Sequence, residues 1–212
     1  MTSTIRVARK KADSYQHGDL REALIQAGLK LLSTGDPAAL TLRAAAQLAG
    51  VSHAAPYRHF RDKQALVAAI AERGFRQLTA AMGEELARCS SVRARDRLIA
   101  LGMGYVRFAT SQPASLRVIF GGVLGADEVP AELTAAGDEA YQMLRQEIAA
   151  GIGKGELRGG EPDQLALASW SLVHGLSTLI INGAIPAPAS AAAERDLVRG
   201  MVGLLGVGLY AD

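Results

Sequence analysis

The chain has 212 residues, of which 49% are hydrophobic, 21% charged and only 5% aromatic, and its formal net charge is +2. An apolar fraction near one half supports a sizeable core and excludes disorder for most of the chain; 39 alanines and the lack of long Val/Ile/Thr/Tyr alternation argue against an all-β fold. The single cysteine, Cys89, excludes an intramolecular disulfide framework and a CxxC metal site.

The near-neutral total hides an asymmetry. Residues 1–63 hold ten Lys/Arg and five acids, a net +5, whereas residues 64–212 hold 13 and 16, a net −3. A basic end on a mildly acidic body suits a polyanion partner, although a chance imbalance on a solvated surface gives the same arithmetic. Met1 to Gly18 is polar and basic, without the apolar central region of a secretory signal.

In chain order, Asp19 is the expected N-cap of a first helix, with Glu22 completing a capping box. Leu20, Leu24, Gly28 and Leu31 form its apolar stripe, and Thr34-Gly35-Asp36-Pro37 ends it. A second helix starts behind Thr41 and stops at Gly50. After a short turn, Ser52 is placed to cap a third helix over His53 to His59, and Asp62 to cap a long fourth. In that fourth helix Leu66, Ile70, Gly74/Phe75, Leu78, Met82 and Leu86 sustain a helical period. Arg93–Thr110, Pro113–Phe120, Asp127–Ile152, Pro162–Gly183 and Ala191–Tyr210 read as further helices. The expected fold is all-α, with about nine helices.

Leu165 to Ile185 is 21 residues without Asp, Glu, Lys or Arg, long enough to span a bilayer. Its Ser169, Ser171, His174, Ser177, Thr178 and Asn182, and the lack of a flanking basic cluster, favour a buried helix of a cytoplasmic protein outside any membrane.

Two short helices joined through Gly50-Val51-Ser52 fit a helix-turn-helix, whose second helix enters the DNA major groove. Ala46 gives the two helices room to approach, and Gly50 can take the positive φ of the turn. Ser52 and His53 bring donors to the start of the third helix, and Ala54 and Ala55 allow close approach or contact thymine methyls. Tyr57, His59 and Lys63 are placed to bind phosphate, as is Thr41 with the helix start behind it.

The stretch from Tyr15 to Phe75 resembles the N-terminal DNA-binding domain of the TetR family, the tetracycline-repressor-like transcriptional regulators. The stretches that carry the resemblance are His17-Gly18-Asp19-Leu20-Arg21, Leu40-Thr41-Leu42-Arg43, Ala49-Gly50-Val51-Ser52 and Tyr57-Arg58-His59-Phe60-Arg61-Asp62-Lys63. The resemblance implies backbone contacts by Thr41, Tyr57, His59 and Lys63 and base contacts by His53, Ala54 and Ala55; Arg43 and Ser52 join the same DNA-facing set. Pro56 departs from the aliphatic residue that many members carry within the recognition helix; proline is tolerated only near a helix start, so this helix must begin late or run irregularly. The basic arm, Arg6, Arg9, Lys10 and Lys11, reads equally as a minor-groove reader or as a phosphate-attracted tail.

For the body, the resemblance implies a dimer interface and an inducer pocket. Trp170-Ser171-Leu172-Val173-His174-Gly175 is similar to the Trp and His-Gly signature of one C-terminal subclass. His174 is read either as a polar anchor in an apolar pocket with Trp170 beside it, or as a satisfied core histidine. Met103, Phe108, Phe120 and Tyr141, with Tyr105 and Met143, are the other candidate walls, and Met82 is placed to couple pocket to DNA-binding end. Gly200, Gly203 and Gly206 leave a bare strip on the last helix, which suits either close packing in a four-helix dimer seam with the preceding helix or a frayed end.

The expected organisation is therefore a basic arm over residues 1–14, a helix-turn-helix domain over 15–63 and a ligand-binding and dimerisation domain over 64–212. The expected function is a homodimeric, ligand-responsive repressor of a double-stranded, pseudo-palindromic operator, released by a largely apolar small molecule. The alternative is a DNA-binding or architectural protein without an effector. No GxSxG, Walker loop or HExxH is present, and no enzyme activity, cofactor or metal is expected.

Overall fold

The computed structural model describes residues 17–33, 37–122, 129–158 and 160–207, apart from the side chains of residues 17–19, 37, 206 and 207. The expected roles of the basic arm, the 34–36 helix stop and the Gly206 part of the glycine strip lie outside what is described. Eight α-helices and no strand occur among the described residues: α1 (His17–Leu32), α2 (Leu42–Ala49), α3 (Lys63–Arg88), α4 (Ala94–Ser111), α5 (Pro113–Phe120), α6 (Ala131–Gly153), α7 (Pro162–Ile181) and α8 (Ala191–Val207). Short 3-10 turns cover Pro37–Ala39 and Pro56–Arg58.

The termini follow the expected chemistry, with one shift. Thr41 Oγ1 accepts from the Ala44 N–H at 3.0 Å at the start of α2, and Asp62 Oδ1 from the Ala65 N–H at 2.8 Å at the start of α3. Gly50 takes φ 71°, and the Val51 N–H reaches back to the Ala46 carbonyl at 3.0 Å, a Schellman-type closure. By contrast, α1 begins at His17, so Asp19 stands in its first turn rather than at its cap, where an acidic residue still suits the helix dipole.

Two apolar clusters organise the helices, and α3 runs through both. The first joins Leu24 and Ile25 of α1, Leu40, Leu42 and Ala45, Phe60, and Leu66, Val67 and Ile70 of α3. Val118 of α5 and Leu133 of α6 reach into that cluster from the body. The second joins Leu78 and Met82 of α3 to Leu101, Tyr105 and Phe108 of α4, Ala140 of α6, Val173 and Leu176 of α7 and Val198 of α8. The most extensive helix pair is α3 with α4. Gly104 makes their approach possible, because a Cβ there would meet Met82 Cα at 2.5 Å and the Ala81 carbonyl oxygen at 2.6 Å.

Ion pairs fasten the two halves of α3 to different neighbours. Arg73 pairs with Glu22 of α1 at 2.8 Å, and Arg107 of α4 pairs with Glu85. Arg97 of α4 grips Glu147 of α6 with two hydrogen bonds of 2.5 and 2.6 Å. On the outer side, α7 is the one helix among the described residues long and apolar enough to cross a bilayer by length and composition. It is less buried than its sequence suggests. Ala166, Val173, Leu176, Ser177 and Ile180 face the protein, while Leu167 and Leu179 are about half exposed in the single chain.

Candidate nucleic-acid interface and ligand cavity

The turn between α2 and α3 differs from the expected helix over 53–59. Only Pro56–Arg58 is helical, as a 3-10 turn with proline at its start and no side-chain cap from Ser52. The cause is local. A helix capped by Ser52 would need residue 56 to donate to the Ser52 carbonyl, and proline has no N–H. Instead the Ala55 N–H donates to the Ser52 carbonyl at 3.0 Å, and the His59 and Phe60 N–H groups both reach the Pro56 carbonyl at 2.9 Å.

Burial then decides which side chains face outward. Pro56 is fully buried and Phe60 is 3% exposed, so this turn is pinned to the first cluster by two residues four apart. Arg21 of α1 lies over the Phe60 ring, 5.7 Å from its centroid. Pro56 thus keeps the apolar anchoring of its position while shortening the helix. With those two held inward, Ser52, His53, Ala54, Tyr57 and Arg58 are exposed, Tyr57 by 57%. Thr41 and Arg43 are exposed at the start of α2, and Ala55, His59 and Lys63 are half-buried. All nine DNA-facing candidates therefore fall on one run from α2 to the start of α3. Arg58 and Arg61 are exposed beside them, Arg61 paired with Asp62 at 3.2 Å.

In the body, α3, α4, α6, α7 and α8 enclose a cavity of about 780 Å³. Phe120, Tyr141 and Trp170 are in its wall, together with Tyr105, Leu78 and Met82. Met103 and Phe108 are not; both are core residues, 3% and 2% exposed. Helical phase explains the difference. Arg95, Leu98, Gly102 and Tyr105 repeat along one face of α4, and Met103, two residues from Tyr105, lies about 200° around it. Phe108 is one turn past Tyr105, beyond the cavity's end.

His174 stands behind the wall rather than in it. Its Nδ1 shares a 2.7 Å hydrogen bond with the Tyr105 hydroxyl, which also accepts from the Trp170 indole N–H at 3.4 Å. Phe120 turns edge-on to His174 with centroids 4.9 Å apart. Burial holds the His174 imidazole below its ordinary value. The Tyr105 phenol is pushed up to about 12, because burial penalises its anion more than the Trp170 hydrogen bond supports it. The cavity thus has a neutral, hydrogen-bonded hydroxyl in a mostly apolar wall, with Tyr141 and Ser169 as its other uncharged hydroxyl groups. The aliphatic lining (Leu98, Leu101, Leu144, Leu165) and the charged residues at its edge (Arg95, Asp138, Glu156, Arg158) were not singled out from sequence, since leucines and surface charges carry no local signature.

A family model described as bacterial regulatory proteins, tetR family, matches residues 24–70, and one described as tetracyclin repressor-like, C-terminal domain, matches residues 98–202. The chain belongs to the TetR family. Among TetR-family and related proteins, it is 30% identical over 148 residues to nucleoid occlusion factor SlmA of Marinobacter nauticus, covering 66% of this chain and 70% of SlmA. It also resembles the structure of a protein of unknown function from Rhodococcus sp. RHA1, with a TM-score of 0.77 and 30% identity over 92% of this chain and 99% of that one. The same fold occurs in AibR, solved in complex with isovaleryl coenzyme A and operator DNA, with a TM-score of 0.67 and 16% identity over 88% of this chain and 98% of AibR. The TetR family places the chain among DNA-binding regulators, and the helix-turn-helix match includes α2 and the turn built on Pro56 and Phe60.

Proposed function

We propose that this TetR-family chain is a homodimeric, cytoplasmic repressor that a largely apolar small molecule releases from a pseudo-palindromic operator. In this reading residues 15–63 form the DNA-binding unit and residues 64–212 the effector and dimer unit. The observation that carries the effector half is the cavity of about 780 Å³, within the usual range for small-molecule sites and walled by apolar side chains around the Tyr105 hydroxyl. AibR, similar in fold, is a case in which coenzyme A thioester and operator DNA bind one protein.

A path from cavity to DNA supports the release mechanism. Phe120, at the end of α5, is part of the wall and meets Phe75 of α3 edge-on at 5.6 Å. Its neighbour Ile119 presses on Gly74, where a Cβ would come within 3.0 Å, and Val118 is buried in the cluster that holds α1 and the Phe60 anchor. A ligand that displaces Phe120 therefore moves α5 against α1 and re-aims Tyr57 and its neighbours. Switching strength equals the difference in ligand affinity between the DNA-matching and non-matching geometries.

The dimer reading rests on α7 and α8, which leave Leu167, Leu179, Leu204 and Leu205 exposed on the single chain. Two such helices from each subunit make a four-helix seam and set paired DNA-reading turns about 34–36 Å apart. The experiment is selection from a random duplex pool, followed by titration of compounds against the selected complex. An inverted repeat released by a saturable ligand supports the proposal; binding without a repeat, or a complex unaffected by ligands shown to enter the cavity, refutes it. The latter outcome would leave the second reading standing, DNA binding without an effector.

A further inference from the structure

We propose that the cavity selects a hydrophobic amine, bound as its ammonium ion at the end where Asp138 and the aromatic side chains meet. This rests on the effector reading above and names the ligand class of that site. Five of the chain's ten aromatic side chains (Phe75, Tyr105, Phe120, Tyr141 and Trp170) are in the cavity wall. Phe75 meets Phe120 at 5.6 Å, Phe120 meets Trp170 at 5.4 Å and Trp170 meets Tyr141 at 6.3 Å between ring centroids. Their planes cross at 51° to 88°, so none is stacked flat on another and ring faces remain for a cation. Asp138 lines the cavity one turn before Tyr141 on α6, and its carboxylate has no hydrogen bond or ion pair among the described residues.

The hydrogen-bonding groups of the wall point the same way. Tyr141 donates its hydroxyl proton to the Asp163 carbonyl at 3.1 Å, and Ser169 donates its own to the Leu165 carbonyl at 2.7 Å. The Trp170 N–H goes to the Tyr105 oxygen at 3.4 Å. Tyr105 in turn is assigned as donor to His174 Nδ1. Their 2.7 Å separation suits an O–H donor better than an N–H, and a neutral imidazole nitrogen is a stronger acceptor than a phenol oxygen. Burial keeps both groups neutral, lowering the His174 pKa and raising that of Tyr105 to about 12. The protons of these uncharged polar side chains are therefore already spent within the protein, while lone pairs remain on all three hydroxyl oxygens. A carbonyl or carboxylate finds no donor there, whereas an ammonium finds acceptor oxygens, a carboxylate and ring faces together. The guanidiniums of the wall are remote. Arg95 follows Ala94 and Arg158 follows Leu157, the two residues that meet Gly151, which is thirteen residues or about 20 Å along α6 from Asp138.

Trp170, the only tryptophan, is in the cavity wall, so its fluorescence reports occupancy directly. The full-length protein is titrated, without DNA, with decylammonium, decyltrimethylammonium, decanol and decanoate, each below its micelle concentration. Decylammonium should bind about tenfold tighter than decanol or decanoate, and decyltrimethylammonium, which keeps the charge but has no N–H, should fall between them. Asp138→Asn should weaken decylammonium binding about tenfold and leave decanol affinity unchanged, and Asp138→Glu should recover part of the loss. Asp138 is exposed, so neither substitution disturbs the core. Decanol or decanoate binding as tightly as decylammonium overturns the proposal, as does a trimethyl compound that matches it. So does an asparagine variant with unchanged ammonium affinity, or a Trp170 signal that none of the four compounds moves. A compound that binds in these titrations but fails to release the operator tells against the repressor mechanism and not against the ligand class.

Discussion

Replacing Gly104 by alanine measures how closely α3 and α4 are pressed together. The new Cβ would lie 2.5 Å from Met82 Cα, 2.6 Å from the Ala81 oxygen and 2.8 Å from Met82 N, all backbone atoms without a rotamer to escape into. Restoring ordinary contact requires the helices to part by about 1 Å, and a gap of that size forfeits a quarter to a half of the dispersion energy of the contacts it opens. Overpacking of this kind costs about 1–3 kcal/mol, and the upper end applies because the seam contains Leu78, Met82, Leu101 and Tyr105. Alanine's better helix propensity returns about 1 kcal/mol, leaving a net loss of about 2 kcal/mol, or about 4–8 °C in Tm for a chain of this size. Gly83→Ala, on the α3 side, is the control. Its nearest neighbour would be Met143 Cε at 3.8 Å, so it should gain up to about 1 kcal/mol. Urea unfolding followed by Trp170 fluorescence at fixed protein concentration reads both. If the two variants change stability alike, or Gly104→Ala costs less than about 0.5 kcal/mol, the close approach does not control this seam.

Tyr57→Ala should weaken binding to every DNA sequence, whereas His53→Ala should relax sequence preference in a randomised-operator assay; unchanged operator affinity of the first would mean that the turn over 56–58 does not face DNA. Tyr105→Phe strips the partner from both His174 Nδ1 and the Trp170 indole and should cost about 1–3 kcal/mol in the same urea experiment. Because burial lowers the His174 pKa, the unfolded chain takes up a proton near the ordinary value of about 6.5 that the folded protein resists. Stability should therefore decline as pH falls from about 6.5 toward the folded value, and His174→Gln should flatten that decline; parallel curves would exclude His174 as its source. The Tyr105 phenol is raised to about 12, so the stability it contributes should fade between about pH 10 and pH 12.

The helices were legible because each signal is local: Thr41 and Asp62 as caps, Gly50 as a left-handed stop, and a period from Leu66 to Met82 that stays buried for the length of α3. Pro56 was legible as a disturbance, but not its outcome, since losing one N–H can delay a helix or replace it. Tertiary burial of Pro56 and Phe60 chose the 3-10 turn. The cavity was harder to read. Phe120, Tyr141 and Trp170 stand out as rare aromatics, yet Met103 and Phe108 were equally conspicuous and ended in the core. Whether an apolar side chain packs or lines a void depends on the facing helix, and no local pattern on α4 encodes where α6 and α7 leave a gap. Gly104 was silent for the same reason, because its role is set by a backbone 22 residues away in sequence.

In the proposed release mechanism, α5 is the link between a cavity in the body and an interface that the cavity does not touch. Three consecutive residues divide their contacts: Val118 in the α1 cluster, Ile119 on Gly74, and Phe120 on the cavity. An eight-residue helix gripped at both sides cannot absorb a displacement by bending, and close-packed neighbours transmit it as a shift. α1 is joined to α3 through Leu24, Ile25, Leu66 and Ile70 in the same buried cluster that Val118 enters, so a shift of α5 presses on α1 and α3 together. Val118 is consequently the residue whose size should set the coupling. Val118→Ala leaves both binding sites intact but removes the contact between them, so ligand affinity and operator affinity should each persist while the ligand's effect on operator binding shrinks. Full ligand-induced release in Val118→Ala would place the coupling elsewhere, along α3 itself.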